Sequence, residues 1–452
     1  VLEHVDISLE DLIQNTSCTI KNGIIFEGWS EDRRPYLNGF GLLDRRFDIM
    51  SLNHSLDIFG WPSPAPVIPY LAEKFDLQDD QIDILAHGTL KNKVFFEKDF
   101  SKTGLYSVHF DAQSIAKFLA SKAIERGVRR IEGKVTNVVL NERHNISYVT
   151  LENDQDVHGD FFFDCSGFAR LIIGKTYGSE WVSFKDTLPA KRAMPFFIEQ
   201  DKAIKPYTKA KAMDYGWMWQ IPLQHRYGCG YVYDPDQISD DDVKLEIDRL
   251  MGYEVTVPRI FNFDPGYFKQ VWIKNCLALG LASSFVEPLE ATSIMQMLAS
   301  IQDFLEQKHM IFTEDEDFKI GFNQKTERDQ IAIGSFIHLH YITNKKNNEF
   351  WTNFSDNYKT PEALQQTLKR ISDGVVNQDD QSSFFDATAY ITIARGNGTL
   401  KQDNIQRIYD TMLKDKKLEP YLYNLVNQVP IRSNDFLDHN TFLKHLGASI
   451  EK

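Results

Sequence analysis

Hydrophobic positions recur along this chain with two different periods. Over residues 110–127, "FDAQSIAKFLASKAIERG", the residues Ile115, Phe118, Leu119 and Ala123 share one face at helical spacing. Asp111 is placed to cap that helix and Gly127 to end it. "RRIEGKVTNVVLN" and "ISYVTLEND" then read as two short strands, followed by "DVHGDFFFDCSG". There Phe161, Phe162 and Phe163 are apolar on both faces, which predicts a buried central strand closed by a turn at Ser166-Gly167. From about residue 176 to 268 the aromatic-rich pattern of "GWMWQIP" and "RYGCGYVY" predicts an antiparallel β layer. "WIKNCLALG" re-enters the core as a strand, and "TSIMQMLASIQDFLEQ" is an amphipathic helix with Ile294, Met297, Leu298, Ile301 and Leu305 on one stripe. From about residue 329 onward the pattern is helical. With no repeat, low-complexity tract or Gly/Ser linker, the units are expected to interleave along the chain.

Composition narrows the class. At 452 residues the chain is long for one core, so two or three packed units are expected. A 42% hydrophobic and 25% charged content is that of a globular protein that stays in water. The net charge of −14 argues against a nucleic-acid binder, which needs a basic face. Cys18, Cys165, Cys229 and Cys276 are scattered without CxxC spacing, which suits reduced thiols in the cytoplasm and no metal site. The longest apolar runs, such as 276–286, are too short for a bilayer, and the acidic opening "VLEHVDISLEDLIQNT" lacks a signal-peptide layout. It begins with valine, so residues upstream are expected. "DDD" at Asp240, Asp241 and Asp242 reads as a solvated loop or a helix start.

Two carboxylates in "FVEPLEATSI", Glu287 and Glu290, flank Pro288 and Leu289 at the start of the second helix. A helix N-terminus favours negative charge on its own account, so their presence there needs no chemistry. The wider pattern adds one. "WMWQIP" (217–222), "FDPGYFKQVWIKNCLALGLASSFVEPLEATSI" (263–294), "YSVHFDAQSIAKFL", "DFFFDCSGF", "HYITNKKNNEFW" and "CTIKNGIIFEGW" occur as six ordered blocks. With these blocks the chain resembles the flavin-dependent halogenases of the tryptophan-halogenase family, "WMWQIP" matching the WxWxIP signature that separates them from flavin hydroxylases.

The resemblance implies an α/β fold: an FAD-dependent monooxygenase-like, Rossmann-type core over residues 1–330 with an antiparallel β substrate layer interleaved, and a helical C-terminal region over 331–452 packed on it. It implies that reduced flavin (FADH2), O2 and halide (chloride, bromide or iodide) yield hypohalous acid, which travels through an internal tunnel to a lysine beside the aromatic substrate. The family's essential lysine falls on Lys21. Between Ile20 and the apolar "GIIF" its ammonium is expected to be partly desolvated, the bland alternative being a surface lysine on a half-buried strand. The family's partner glutamate falls on Glu290, with Glu287 as the competitor. Thr292 and Ser293 are expected to hold halide through N–H groups that lack intrahelical partners. Gly280, Leu281 and Ile294 are expected against the flavin, and Val135 on its adenine side. Trp217 and Trp219 should line the barrier between flavin and substrate. "YLNGFG" matches the loop that stacks on the substrate: Phe40 keeps its aromatic platform, whereas Asn38 stands where tryptophan-specific members carry histidine.

Family members open with a GxGxxG turn that cradles the flavin pyrophosphate. None occurs here, and the lysine block begins at residue 18, so the first βαβ unit lies outside this sequence. The chain is expected to be an N-terminally incomplete piece, the alternative being a protein that has lost its cradle. No nicotinamide fingerprint occurs, so a separate flavin reductase is the expected partner beside a small indole- or phenol-type aromatic. No nucleic acid or membrane is expected, and a homo-oligomer is compatible with the sequence. An aromatic hydroxylase and a catalytically inactive relic that only binds aromatics are the competing readings.

Overall fold

The computed structural model describes residues 2–32, 35–39, 76, 93–95, 106–200, 203–311, 316–372, 384–385, 387–400, 403 and 436–450. The chain forms two compact units, each assembled from separated segments. The first comprises Val1–Ala120, Arg192–Asn262 and His338–Lys452, and the second Ser121–Lys191 and Phe263–Ile337.

A seven-stranded sheet dominates the first unit, in the order Phe261–Asn262, Arg192–Glu199, Arg226–Tyr233, Gly216–Pro222, Thr208–Ala212, Gly23–Glu27, Tyr36–Gly39. All its pairings are antiparallel except Thr208–Ala212 with Gly23–Glu27. The β layer expected from the aromatic-rich middle of the sequence is therefore present, and two strands from the first forty residues extend it. Side chains alternate between its faces. One face carries Met194, Phe196, Met218, Cys229 and Tyr231, packed with Val243 and Ile247 of the helix Asp240–Met251. That helix begins in the "DDD" run: the Ser239 side chain caps its first turn, and Gly252 in the left-handed region ends it. Asp240 does more than solvate the turn, because it accepts hydrogen bonds from Arg192 and Tyr233.

The opposite face follows from the register. Trp219 is paired with Gly230 and Ala210, Ala210 with Phe26, and Phe26 with Tyr36, so these five lie in one row across the sheet. Phe26 stacks on Tyr36 with centroids 5.0 Å apart. A Cβ on Gly230 would meet the Trp219 indole at 2.1 Å, so only glycine leaves room for that ring. Gly230→Ala is expected to destabilise the protein by about 1–3 kcal/mol through overpacking. The same substitution should shift tryptophan emission. Unchanged denaturation and emission would show that the indole can move aside.

Around this sheet pack the other parts of the first unit. Trp29, Tyr341, Phe350, Trp351 and Phe354 form a chain of aromatic contacts. A second core joins Ile7, Leu12, Ile13, Ile20, Phe118, Phe442 and Leu443, with Ile115 and Leu119 against it. The helix expected at 110–127 is observed at Ala112–Glu125, and Asp111 accepts the Ser114 N–H as its cap. The C-terminal region is mostly helical among the described residues, with one strand, Phe436–Asp438, paired to Lys93–Phe95.

The second unit holds the meander Val135–Leu140, Ile146–Leu151, Asp156–His158 and two further three-stranded sheets. Its core centres on Trp272, in edge-on contact with Phe161, Phe318 and Phe322 and tilted against Phe304. Asn323 fastens this tryptophan's backbone, accepting from Val271 N and Trp272 N and donating to Trp272 O.

Two expectations are corrected here. The strand is Phe162–Asp164, which among the described residues lies at the edge of its sheet beside Cys276–Ala278, and Phe163 is 45% exposed. Its ring meets Phe161 and Phe304 edge-on, so aromatic contacts, not burial of both faces, explain the phenylalanine run. The helix Thr292–Gln307 buries Thr292, Gln296, Ser300 and Phe304; of the apolar stripe Met297 and Ile301 pack on the Trp272 core, whereas Ile294 and Leu305 are exposed. Gln296 donates to Ser300 Oγ, and that internal bond lets a polar face be buried. Among the described residues no helix is long and apolar enough to cross a membrane.

Candidate active site

Lys21 ends the short strand Thr19–Lys21 and is only 5% exposed, so it is no surface lysine. The strand pairs antiparallel with Ser107–His109, Thr19 opposite His109 and Lys21 opposite Ser107. Thr19, Lys21 and His109 therefore share a face. His109 is 4% exposed and bonded at both ring nitrogens, Nδ1 to Thr19 Oγ1 and Nε2 to Thr208 Oγ1, each at 3.0 Å. The strand's outer edge is held as well. Ile20 N donates to His439 Nε2 at 3.1 Å, His439 Nδ1 lies 3.2 Å from Ile204 O, and Asn22 N donates to Pro206 O at 2.7 Å.

Burial pushes His439 down to about 4, against the upward pull of its bond to Ile204 O and of Asp438. It is neutral in the fold and charges in the unfolded chain. Its contribution to stability is whole above histidine's ordinary 6.5 and is lost as pH falls toward 4. Between pH 7 and pH 5 the fold should lose about 2 kcal/mol through this group alone. Urea midpoints across that range check it, and His439→Gln should flatten the dependence.

Of the predicted substrate-side residues, Asn38, Trp217 and Trp219 lie on one face of the seven-stranded sheet. Trp217 is buried, Trp219 is half-buried, and their centroids are 6.1 Å apart. Asn38 is paired with Ile24, and Ile24 with Thr208, in the row next to Trp219. Phe40 lies outside the described residues.

Glu290, Thr292, Ser293, Gly280, Leu281, Ile294 and Val135 belong to the second unit. Glu290 and Ala291 both have positive φ, 64° and 53°, a conformation non-glycine residues rarely adopt. This double left-handed turn opens the helix Thr292–Gln307, which has no side-chain cap. Thr292 is buried and Ser293 partly so. Glu287 is fully buried and Glu290 half-buried, a difference the sequence did not signal. Gly280 has φ +59°, and a Cβ on it would come within 3.4 Å of Met297 Sδ. Partly buried Leu281 follows it, and Ile294 is 44% exposed. A side-chain-free turn beside apolar groups fits contact with a flat flavin ring. These residues include no phosphate cradle, so no pyrophosphate contact is assigned to them. Val135 lies on the meander opposite Leu151.

Sequence reasoning missed His109 and His439. His109 lies inside "YSVHFDAQSIAKFL", and its only signal was a lone histidine in a strand-like segment.

The family model described as "Tryptophan halogenase" matches residues 1–412. The chain belongs to the tryptophan halogenase family. Among its relatives, a 7-chloro-L-tryptophan 6-halogenase from Kutzneria sp. (strain 744) is 31% identical over 369 residues, 76% of this chain and 69% of that protein. A tryptophan 6-halogenase from Streptomyces toxytricini is 30% identical over 304 residues, 65% of this chain and 58% of that protein. The alignment thus spans little more than half the length of this second relative. The solved structure of a flavin-dependent halogenase from Xanthomonas campestris superposes with TM-score 0.83 at 26% identity, covering 100% of this chain and 88% of that one. The family resemblance and the α/β, Rossmann-type flavoprotein fold expected from the sequence are thereby borne out. All three of these proteins are described as halogenases and none as a hydroxylase.

Proposed function

We propose that this protein is a flavin-dependent halogenase that places halogen on an electron-rich carbon of a small indole or phenol. The observation that carries the reading is the burial of Lys21, which makes it a group with a task inside the protein. Bound FAD, reduced to FADH2 by a separate reductase, would supply with O2 the oxidation of halide to hypohalous acid. Gly280, Leu281 and Ile294 would contact it, and the N–H groups at Thr292 and Ser293 would hold the halide. The Lys21 ammonium donates to the oxygen of hypohalous acid and polarises the oxygen–halogen bond. The aromatic carbon supplies the electron pair for the new carbon–halogen bond, and the departing oxygen takes a lysine proton to leave as water. The Glu290 carboxylate accepts the ring proton. Transfer through a haloamine on the neutral lysine, with water released when the nitrogen–halogen bond forms, uses the same residues.

The two curated relatives are described as acting on tryptophan or chlorotryptophan. For this chain a less selective aromatic is favoured by Asn38, a neutral amide beside the Trp219 row. The cytoplasm suits the four free thiols. The test is mass spectrometry of indoles, phenols and tryptophan incubated with protein, FAD, a flavin reductase and one halide at a time. Halogenated product is the expected result, with bromide or iodide used at least as well as chloride. Oxygenated product would make the protein a hydroxylase, and binding without turnover a relic.

A further inference from the structure

We infer that His109 is a positioning residue for Lys21, tying the strand that carries the lysine to the sheet face that carries Trp217, Trp219 and Asn38. This rests on the reading of Lys21 as the halogen-directing amine. The argument starts from proton bookkeeping. A threonine hydroxyl has one hydrogen, and that of Thr19 is committed to Pro222 O at 2.6 Å. Thr19 Oγ1 therefore accepts from His109, whose Nδ1 carries the proton. In a neutral imidazole Nε2 is then an acceptor, and Thr208 Oγ1 donates to it. Thr208 is in register with Ile24, and Ile24 with Asn38, so the second bond ends on the aromatic face of the seven-stranded sheet. Along the other direction His109 opposes Thr19, which makes its ring the diagonal neighbour of Lys21. One neutral ring thus bridges two strands, in a single tautomer.

The electrostatics agree with this geometry. Burial first, then the Lys21 charge and His439, hold His109 well below histidine's ordinary range. The imidazole beside Lys21 stays uncharged, so the lysine faces no second cation from it.

The test uses His109→Phe, which keeps ring shape and loses both bonds, and Thr208→Val, which loses only the outer one. Lys21 is labelled with sulfosuccinimidyl acetate and followed by peptide mass spectrometry, an assay that needs no flavin and no turnover. In both variants Lys21 should acetylate faster than in the wild type while Lys345 does not. In halogenation assays kcat should fall about tenfold with KM for the aromatic little changed, because a displacement near one ångström can cost up to two orders of magnitude. Flavin reoxidation should keep its wild-type rate. Folded variants with wild-type Lys21 labelling and wild-type kcat would overturn the inference. A parallel loss of kcat, flavin reoxidation and melting temperature would also overturn it, since that is the mark of a merely structural residue. If His109→Phe does not fold, Thr208→Val decides alone. A wild-type protein that halogenates nothing while labelling responds as stated would sink the functional reading and leave the His109–Lys21 link standing.

Discussion

Lys21→Ala and Glu290→Gln should each lower halogenation by about two to four orders of magnitude, the range expected for a positioned proton-transfer group. Flavin reoxidation should continue in both, because each residue is proposed to act after hypohalous acid has formed. Glutamine keeps the shape of Glu290 but neither its charge nor its capacity to accept the ring proton. The double variant should be little worse than either single one, since groups that act as a unit are not additive. Glu287→Gln separates the two carboxylates. Glu287 is fully buried, so the effect expected there is on stability. The measurements are product formation by mass spectrometry and flavin oxidation by absorbance, on the same samples. Full halogenation by Glu290→Gln, or its abolition by Glu287→Gln alone, would assign the role to the wrong glutamate.

Asp164→Ala should cost the fold about 3 kcal/mol or more, since it strips hydrogen bonds from several buried donors at once. Asp164 is 1% exposed. One carboxylate oxygen accepts from Ser166 N and Ser166 Oγ, and the other from Ile172 N and Ile173 N. These bonds hold the turn through Gly167 and the π-helix Leu171–Thr176, whose Ile172 and Ile173 enter the Trp272 core. Asp164→Asn keeps one acceptor and should cost roughly half as much. Urea denaturation gives the magnitude, and amide exchange over residues 166–173 gives the place. A loss under about 1 kcal/mol for the alanine variant would mean that water replaces the carboxylate.

Local patterns were sufficient wherever a neighbouring residue supplies the deciding interaction. The Ala112–Glu125 helix follows from its spacing and the Asp111 cap. "DDD" leaves a solvated loop and a helix start open, and the structure decides for the helix Asp240–Met251, set inside the stretch read as a β layer. The strands of "GWMWQIP" and "RYGCGYVY" follow from alternation and aromatic content. Such signals act within a few residues, so the sequence displays them. The apolar stripe of Thr292–Gln307 holds only in part: Met297 and Ile301 pack on the Trp272 core, Ile294 and Leu305 are exposed, and the Gln296–Ser300 bond makes a polar face fit to bury, which hydrophobicity alone does not count.

The sequence by itself determined the family and the α/β class, because ordered motif blocks carry that information without coordinates, and the same blocks are what nominate Lys21 and Glu290 for the proposed roles. Only the tertiary structure decided that Lys21 is buried and that Glu287 is more deeply buried than Glu290. It also decided that His109 and His439, 88 and 418 residues beyond the lysine in the numbering, bracket its strand. Burial and such long-range hydrogen bonds depend on which distant segments pack together, and no residue's own neighbours along the chain record that.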